Sequence, residues 1–512
     1  MKNNTEKNSL VVTTLIISFS ITVIAGYLCF NHDIVRDVAQ YYAPMADAFA
    51  AHNLHDAFPL DIPILLSFLA GILCFFNMSS FLALSISSSF FYFLTIFPLY
   101  NICKHYVSPT LAKLGCLLYL IVPAVVKNSC NGQIDSGRIF FIIWSIYLVF
   151  RMCDRTKISD YLCFSIALTG LSLVRGEGII IAFILGLWSI YFTLKNIKSF
   201  QKGLLQRKIL YLGITVILFL VLISPRVYQL YQGTGSPALD YRQAQMIKAH
   251  CPSITNQHLT TQQKNNILHL LPPGAIAKST ITHHFPLNLK ELFHDFFRGS
   301  FELYFPFFLF GIFFLIKKHQ FSDKSLLLIS VVIINSTIFY FIVIAHRFFL
   351  INIPCLMPFL LIALKEIYDY FEKKKNHKHL QKSCYAIGVL LLLLCCFDIG
   401  KDLYKNYHCP YYWNAKATHQ YLQKYKTNNI LCFSKDARFA YWYKYTRAPL
   451  DDYQQLCELS SKFSAFNLQV VTICKSKQKE ITEKIKSNPH FTRIDPMPDS
   501  KILVYYSHKQ EI

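Results

Sequence analysis

Residues 31–63 read NHDIVRDVAQYYAPMADAFAAHNLHDAFPLDIP and set the aspartates Asp33, Asp37, Asp47, Asp56 and Asp61 against a single arginine, Arg36. If the stretch is helical, Asp33, Asp37 and Tyr41 recur every four residues on one face. Carboxylates that close either share a cation or push one pKa upward, and both outcomes suit general acid–base work. A solvated loop helix has the same spacing, so spacing alone does not choose between the two.

Further along, KNSCNGQIDSGRIFF places Asp135 where an apolar run begins, with Lys127 and Arg138 near it. An acid there serves the helix dipole in any case, worth about 0.3–1 kcal/mol. LVRGEG ends another apolar run with Arg175 and Glu177, which can pair with each other or meet a phosphate. Arg226 follows the apolar run 209–224 in SPRVYQLYQGTG, and His346 with Arg347 interrupt VIAHRFFLINIP. Charges beside or within apolar runs are costly and are functional candidates by default; snorkelling of the side chain to the interface is the alternative. The sequence has no Walker loop, HExxH, GxSxG or strand-to-helix dinucleotide fingerprint.

The elements that must position these residues are membrane helices. The chain has 512 residues, 53% hydrophobic, 15% aromatic and only 16% charged, with a mean hydropathy of +0.34. That composition is too apolar for a water-soluble chain of this length. The formal net charge of +22 sits mostly in short runs between apolar segments and in the tail, which is the pattern of cytoplasmic loops and not a nucleic-acid footprint. Apolar runs near 10–30, 80–101, 110–126, 138–150, 158–174, 178–194, 209–224, 301–316, 325–345, 348–364 and 383–399 predict about eleven spans. The first is a retained span, since no small-residue cleavage site follows it.

Ile62 to Phe76 is marginal as a crossing. Read as a juxtamembrane or re-entrant helix, it leaves Lys104, Lys113, Arg151, Arg155, Lys157, Lys195 to Lys208, Lys317, Lys318, Lys324 and the lysines at 373–378 on one side. Positive charge marks that side as cytoplasmic. Residues 31–61, 127–137 and 225–300 then face outward, within a transmembrane domain of residues 1–399. The tail, 400–512, lies outside as well. It is polar, and strand-like runs at Asn429–Phe433, Leu468–Ile473 and Ile502–Tyr506 predict a small α/β domain. Its Cys409, Cys432, Cys457 and Cys474 are available for a disulfide if the tail is exported.

Taken in order, these motifs resemble the GT-C fold glycosyltransferases that use polyprenyl-phosphate sugar donors, in the branch of the protein O-mannosyltransferases and lipid A aminoarabinose transferase. The family's first outer loop has an Asp-Glu pair followed by Tyr and Ala. DVAQYYAPMA supplies Asp37, Tyr41, Tyr42 and Ala46, with Val38 in place of the Glu, which leaves Asp33 as a rival for Asp37. FPLDIPILL resembles the Pro-rich juxtamembrane stretch, Asp135 after Pro123 the second outer acid, and Arg175, Glu177 and Gly178 the Arg-x-Glu-Gly step. Arg347, Phe348 and Pro354 resemble the family's Arg-Tyr and Pro, and Pro225 with Arg226 its Pro-Arg step. The resemblance covers roughly residues 10–360.

It implies a multi-pass protein, in the inner membrane of a bacterium, that moves a sugar from a polyprenyl-phosphate donor to a glycan, lipid or protein acceptor on the outer face. Membrane lipids, not nucleic acid, are its surroundings. Asp37 would be the base or orienting acid, and Asp135 would hold the acceptor or a divalent metal, Mg or Mn. Arg347, Arg226, Lys127 and Arg175 would hold the donor phosphate. Tyr41, Tyr42, Glu177 and His346 would line the substrate pocket. A transporter or flippase of a lipid-linked sugar is the alternative, but it should carry polar groups at mid-membrane on several helices.

Overall fold

A computed structural model describes residues 37–59, 62–195, 202–234, 296, 304–341, 346–373, 397 and five strands between 430 and 508. The expected spans at 10–30 and 383–399, and the 225–300 loop beyond Thr234 apart from Phe296, lie outside the described residues. The chain divides into two compact units, Met1–Val23 with Met45–Asp398, and Ile24–Pro44 with Ile399–Ile512.

In the first unit, α1 (Ala43–Ala50) and α2 (Leu54–Ala57) lead to α3 (Leu65–Cys74). At ten residues α3 is about 15 Å long, half a bilayer core. Then come α4 (Ser80–Leu94) and α5 (Ile96–Tyr106), which together make one 27-residue span broken at Thr95. Pro98 explains the break, because its ring excludes the carbonyl of Leu94 from the helical ladder. The expected span 110–126 is bent: α6 (Pro109–Leu120) and α7 (Pro123–Cys130) meet at 63°, with Pro123 starting the second piece. A short helix therefore occupies the start of what the sequence suggested was a polar loop at 127–137.

The bundle continues with α8 (Asp135–Asp154), α9 (Ile158–Val174), α10 (Gly178–Lys195) and α11 (Lys202–Thr234). After residues outside the description follow α12 (Phe305–Lys317), α13 (Asp323–Phe341), a 3-10 turn at His346–Phe349, and α14 (Asn352–Lys373). Among the described residues, four helices are long and apolar enough to cross a membrane, or five if the bent pair is one span. The chain is an integral, multi-pass membrane protein.

α8 lies at the centre, buried along almost its whole length. Small residues let neighbours close on it and on each other, as membrane helices require where no water drives them together. A Cβ at Gly170 on α9 would lie 2.3 Å from the ring of Phe141, and one at Gly311 on α12 would lie 1.8 Å from the carbonyl oxygen of Phe359. Phe91, Phe140, Phe141 and Trp144 stack in the space this creates, at centroid distances of 5.0–6.3 Å.

α11 differs from its expected shape. It runs through Pro225 for nine more residues instead of ending at 224. Proline cannot donate to the carbonyl four residues back. Here Ser224 Oγ donates to that carbonyl, Val221 O, at 2.8 Å, so the lost bond is replaced locally.

The second unit contains a five-stranded sheet of order β2-β1-β3-β5-β4, built from β1 (Ile430–Ser434), β2 (Thr446–Ala448), β3 (Leu468–Cys474), β4 (Thr492–Ile494) and β5 (Ile502–His508). β1 is parallel to β2 and β3, whereas β5 is antiparallel to β3 and β4. The two edge strands, three residues each, had no sequence signal of their own. Cys432 pairs in register with Val470, four positions from Cys474. That offset is about 13 Å along the strand, too far for a disulfide between these two.

Candidate active site

The expected acids of the first loop begin on a wide turn. Val38–Tyr42 is a π-turn that runs straight into α1, and Asp37 precedes it. Asp37 and Tyr41 are half-buried and Tyr42 is buried. These three belong to the second unit, and Asp33 lies outside the described residues.

In the first unit the structure gathers Asp135, Arg175, Glu177 and Arg347. Asp135 opens α8, so its carboxylate sits at the positive end of the helix dipole. α9 ends at Val174 and leaves Arg175 in extended backbone before α10 begins at Gly178. The tight step needs that glycine, since a Cβ there would meet the carbonyl oxygen of Leu171 at 2.2 Å. It turns the buried Arg175 guanidinium to Asp135 Oδ1 at 3.0 Å through Nη1, and to Glu177 Oε2 at 3.1 Å through Nε. The other oxygen of Asp135 is buried without a hydrogen-bond partner.

Arg175 also lies over the ring of Phe348 at 4.1 Å, and Arg347 lies over the same ring at 5.2 Å. Cation–π contacts of this kind are worth about 0.5–2 kcal/mol, more when water is excluded. Phe348 is held by its backbone as well. Its carbonyl accepts from Arg138 Nη1 at 3.4 Å and from Asn335 Nδ2 at 3.1 Å, while Arg138 Nη2 donates to Asn335 Oδ1. Arg138 and Asn335 are both buried. Among the described residues, two carboxylates, Asp135 and Glu177, thus stand against three guanidiniums, Arg138, Arg175 and Arg347, an excess of one positive charge. Such a cluster suits an anion.

Lys127 is half-buried in the last turn of α7, and its ammonium has no hydrogen bond or ion pair among the described residues. Hydroxyls fix the helix that carries it. Ser88 Oγ donates to Gln133 O at 2.8 Å and lies 3.1 Å from Ser136 Oγ, which donates to Ser129 Oγ at 3.0 Å. Arg226 is differently engaged from the free phosphate ligand the sequence suggested. Its guanidinium donates to Pro59 O at 2.9 Å, Ile62 O at 3.2 Å and Gln229 Oε1 at 2.7 Å, and so staples the Pro-rich segment before α3 onto α11. His346 starts the 3-10 turn, and its side chain lies outside the description.

Sequence reasoning missed Asn335 and the serine chain. An asparagine inside the apolar run of α13 was the available signal, because a polar side chain at that depth needs a partner. A divalent ion requires several oxygen ligands. Among the described residues no three His, Cys, Asp or Glu side chains come together to hold one, and Asp135 offers a single oxygen.

Comparison with known proteins follows the same lines. The sequence model of the dolichyl-phosphate-mannose-protein mannosyltransferase family matches residues 61–228, a third of the chain that includes Asp135, Arg175, Glu177 and Arg226. No curated protein matches the chain by sequence. Among solved structures, ArnT from Cupriavidus metallidurans bound to undecaprenyl phosphate is similar over 97% of each chain, with a TM-score of 0.57 and 12% identity. The same protein in the apo state matches over 98% of this chain and 99% of its own, with a TM-score of 0.56 and 11% identity. The archaeal oligosaccharyltransferase AglB from Archaeoglobus fulgidus, in complex with an inhibitory peptide and a dolichol-phosphate, matches at 0.49 and 13% identity, over 97% of this chain and 74% of its own. The chain has the GT-C fold and, over residues 61–228, the sequence pattern of the dolichyl-phosphate-mannose-protein mannosyltransferases, which bears out the resemblance drawn from its motifs.

Proposed function

We propose that this protein is a membrane glycosyltransferase that moves a sugar from a polyprenyl-phosphate donor to an acceptor hydroxyl or phosphate on the outer face of a bacterial inner membrane. The observation that carries the reading is the positively charged cluster of buried Asp135, Arg138 and Arg175 with half-buried Glu177 and Arg347, on a fold similar to a protein solved with undecaprenyl phosphate. In the reaction, the bond between the sugar's anomeric carbon and the phosphate oxygen breaks while the acceptor oxygen bonds to that carbon. Negative charge grows on the leaving lipid phosphate. Cations aimed at it stabilise the transition state more than the ground state. Arg347 and Lys127 are assigned that role, with Arg175 holding the cluster's geometry through its two ion pairs. Arg226 acts on the donor indirectly, through the segment it staples.

Asp37 takes the acceptor's proton or orients the acceptor, on the strength of the family's loop motif, with Asp33 as the rival. On the same motif grounds Tyr41, Tyr42, Glu177 and His346 are assigned to contact substrate. Where a divalent ion such as Mg or Mn is held, the unpartnered oxygen of Asp135 is its ligand from this cluster, and no step above is routed through it.

The test is transfer of radiolabelled sugar from a panel of polyprenyl-phosphate donors into membrane lipids and glycans, with Asp37→Asn and Asp33→Asn at matched expression. Transfer by the unaltered protein, abolished by Asp37→Asn alone, supports both the class and the base. Loss with Asp33→Asn alone moves the base. No transfer over the panel, with lipid-linked sugar crossing the bilayer instead, would replace the enzyme with a flippase.

A further inference from the structure

The Asn335 side chain is fully buried in α13, and both of its polar atoms are used. Oδ1 accepts from Arg138 of α8, and Nδ2 donates to the main-chain carbonyl of Phe348 at 3.1 Å. Arg138 reaches the same carbonyl at 3.4 Å, so the three groups close a ring of hydrogen bonds. Its third corner is in the 3-10 turn His346–Phe349, which presents Arg347. Arg347 and Phe348 are consecutive residues in that turn. Fixing the Phe348 carbonyl fixes the peptide plane between Phe348 and Phe349, and so anchors the short turn that carries Arg347 one residue earlier.

An asparagine between membrane helices has a simpler use, as a polar contact that holds the helices together. That use would be met by any partner on α8. Here the donor goes to a main-chain carbonyl of a turn, and the turn is the one whose ring carries two guanidiniums, Arg175 at 4.1 Å and Arg347 at 5.2 Å. We propose that Asn335, together with Arg138, is a positioning residue: it grips the Phe348 carbonyl and thereby aims Arg347 at the phosphate of the departing lipid. The inference rests on the glycosyltransferase reading for the identity of the anion, and on geometry alone for the grip.

Two measurements separate these layers. The first is amide hydrogen exchange over residues 346–351 in the detergent-purified full chain, comparing the unaltered protein with Asn335→Leu, which keeps the bulk and removes both hydrogen bonds. Faster exchange in the turn is expected. The second is a double-mutant cycle of Asn335→Leu and Arg347→Gln, read as sugar transfer from polyprenyl-phosphate donor. Asn335→Leu is expected to lower kcat on the order of 10- to 100-fold, the scale of a misplaced catalytic group, with the donor KM changed much less. The double variant should transfer no more slowly than Arg347→Gln alone, because Asn335 acts through Arg347. Should Asn335→Leu not accumulate in membranes, Asn335→Ala carries the same comparison.

Unchanged exchange in the turn, or two losses that simply multiply, would overturn the proposal. If the unaltered protein transfers no sugar at all, the glycosyltransferase reading falls by itself, and the exchange measurement alone decides whether Asn335 grips the turn.

Discussion

The two ends of α8 carry charge in opposite ways. At its start, Asp135 meets Arg175 with both side chains almost fully buried, 3% and 4% exposed. At its finish, 20 residues and about 30 Å away, Asp154 pairs with Lys324 while itself 63% exposed. Lys318–Glu366 and Lys195–Asp323 lie at the corresponding ends of their own helices and are also partly in water. Among the described acids near the finish, Asp160, reached by Arg151 and Arg155, is the buried one. Exposed pairs are cheap to form and contribute little, whereas a buried charge persists only where the fold surrounds it with partners. At the Asp135 end both partners of the pair are desolvated, whereas the arginines that reach Asp160 near the finish are 29% and 40% exposed, and the chemistry proposed above is a reason for the first arrangement.

Breaking the pair at the buried end should have the largest effect. Asp135→Ala leaves Arg175 buried with one of its two carboxylates gone, and is expected to destabilise the protein by about 3–5 kcal/mol, seen as a lower unfolding midpoint in detergent. A change below about 1 kcal/mol would place this pair with the exposed ones. Arg347→Gln sharpens the contrast within the cluster. It should cut sugar transfer by roughly 10²- to 10³-fold, as loss of one preorganised charge donor does, while unfolding stays near that of the unaltered chain. Equal losses of stability and transfer would make Arg347 a structural residue. At the opposite end, Lys318→Ala should change stability by about 0–1 kcal/mol, and salt should shrink even that.

The helices were legible in the sequence because the membrane leaves little choice. A run such as 178–194 has to satisfy its own backbone polar groups, so it becomes α10 with almost the same bounds. Arg175 and Glu177 were legible as a pair because they are two residues apart. What escaped were features set by backbone detail or by distant partners. Nothing in VAQYY announces a π-turn, and a bent span at Pro123 looks like a straight one with a proline in it. Arg138 was visible beside Asp135, but its partners Asn335 and Phe348 lie 197 and 210 residues further on, and no periodicity links them.

That separation has a consequence for how the protein is made. At a synthesis rate of about 5–20 residues per second, roughly 10 to 40 s pass between the appearance of Arg138 and that of Asn335. During that interval α8 must enter the bilayer with an arginine one turn inside its start, a residue whose insertion at a helix centre costs about 2.5–3.5 kcal/mol. Its place near the helix end lets the side chain reach the headgroups meanwhile. The central helix of the finished bundle is therefore a reluctant guest of the lipid. It is brought fully indoors only when α13 and the turn after it arrive to take hold of Arg138.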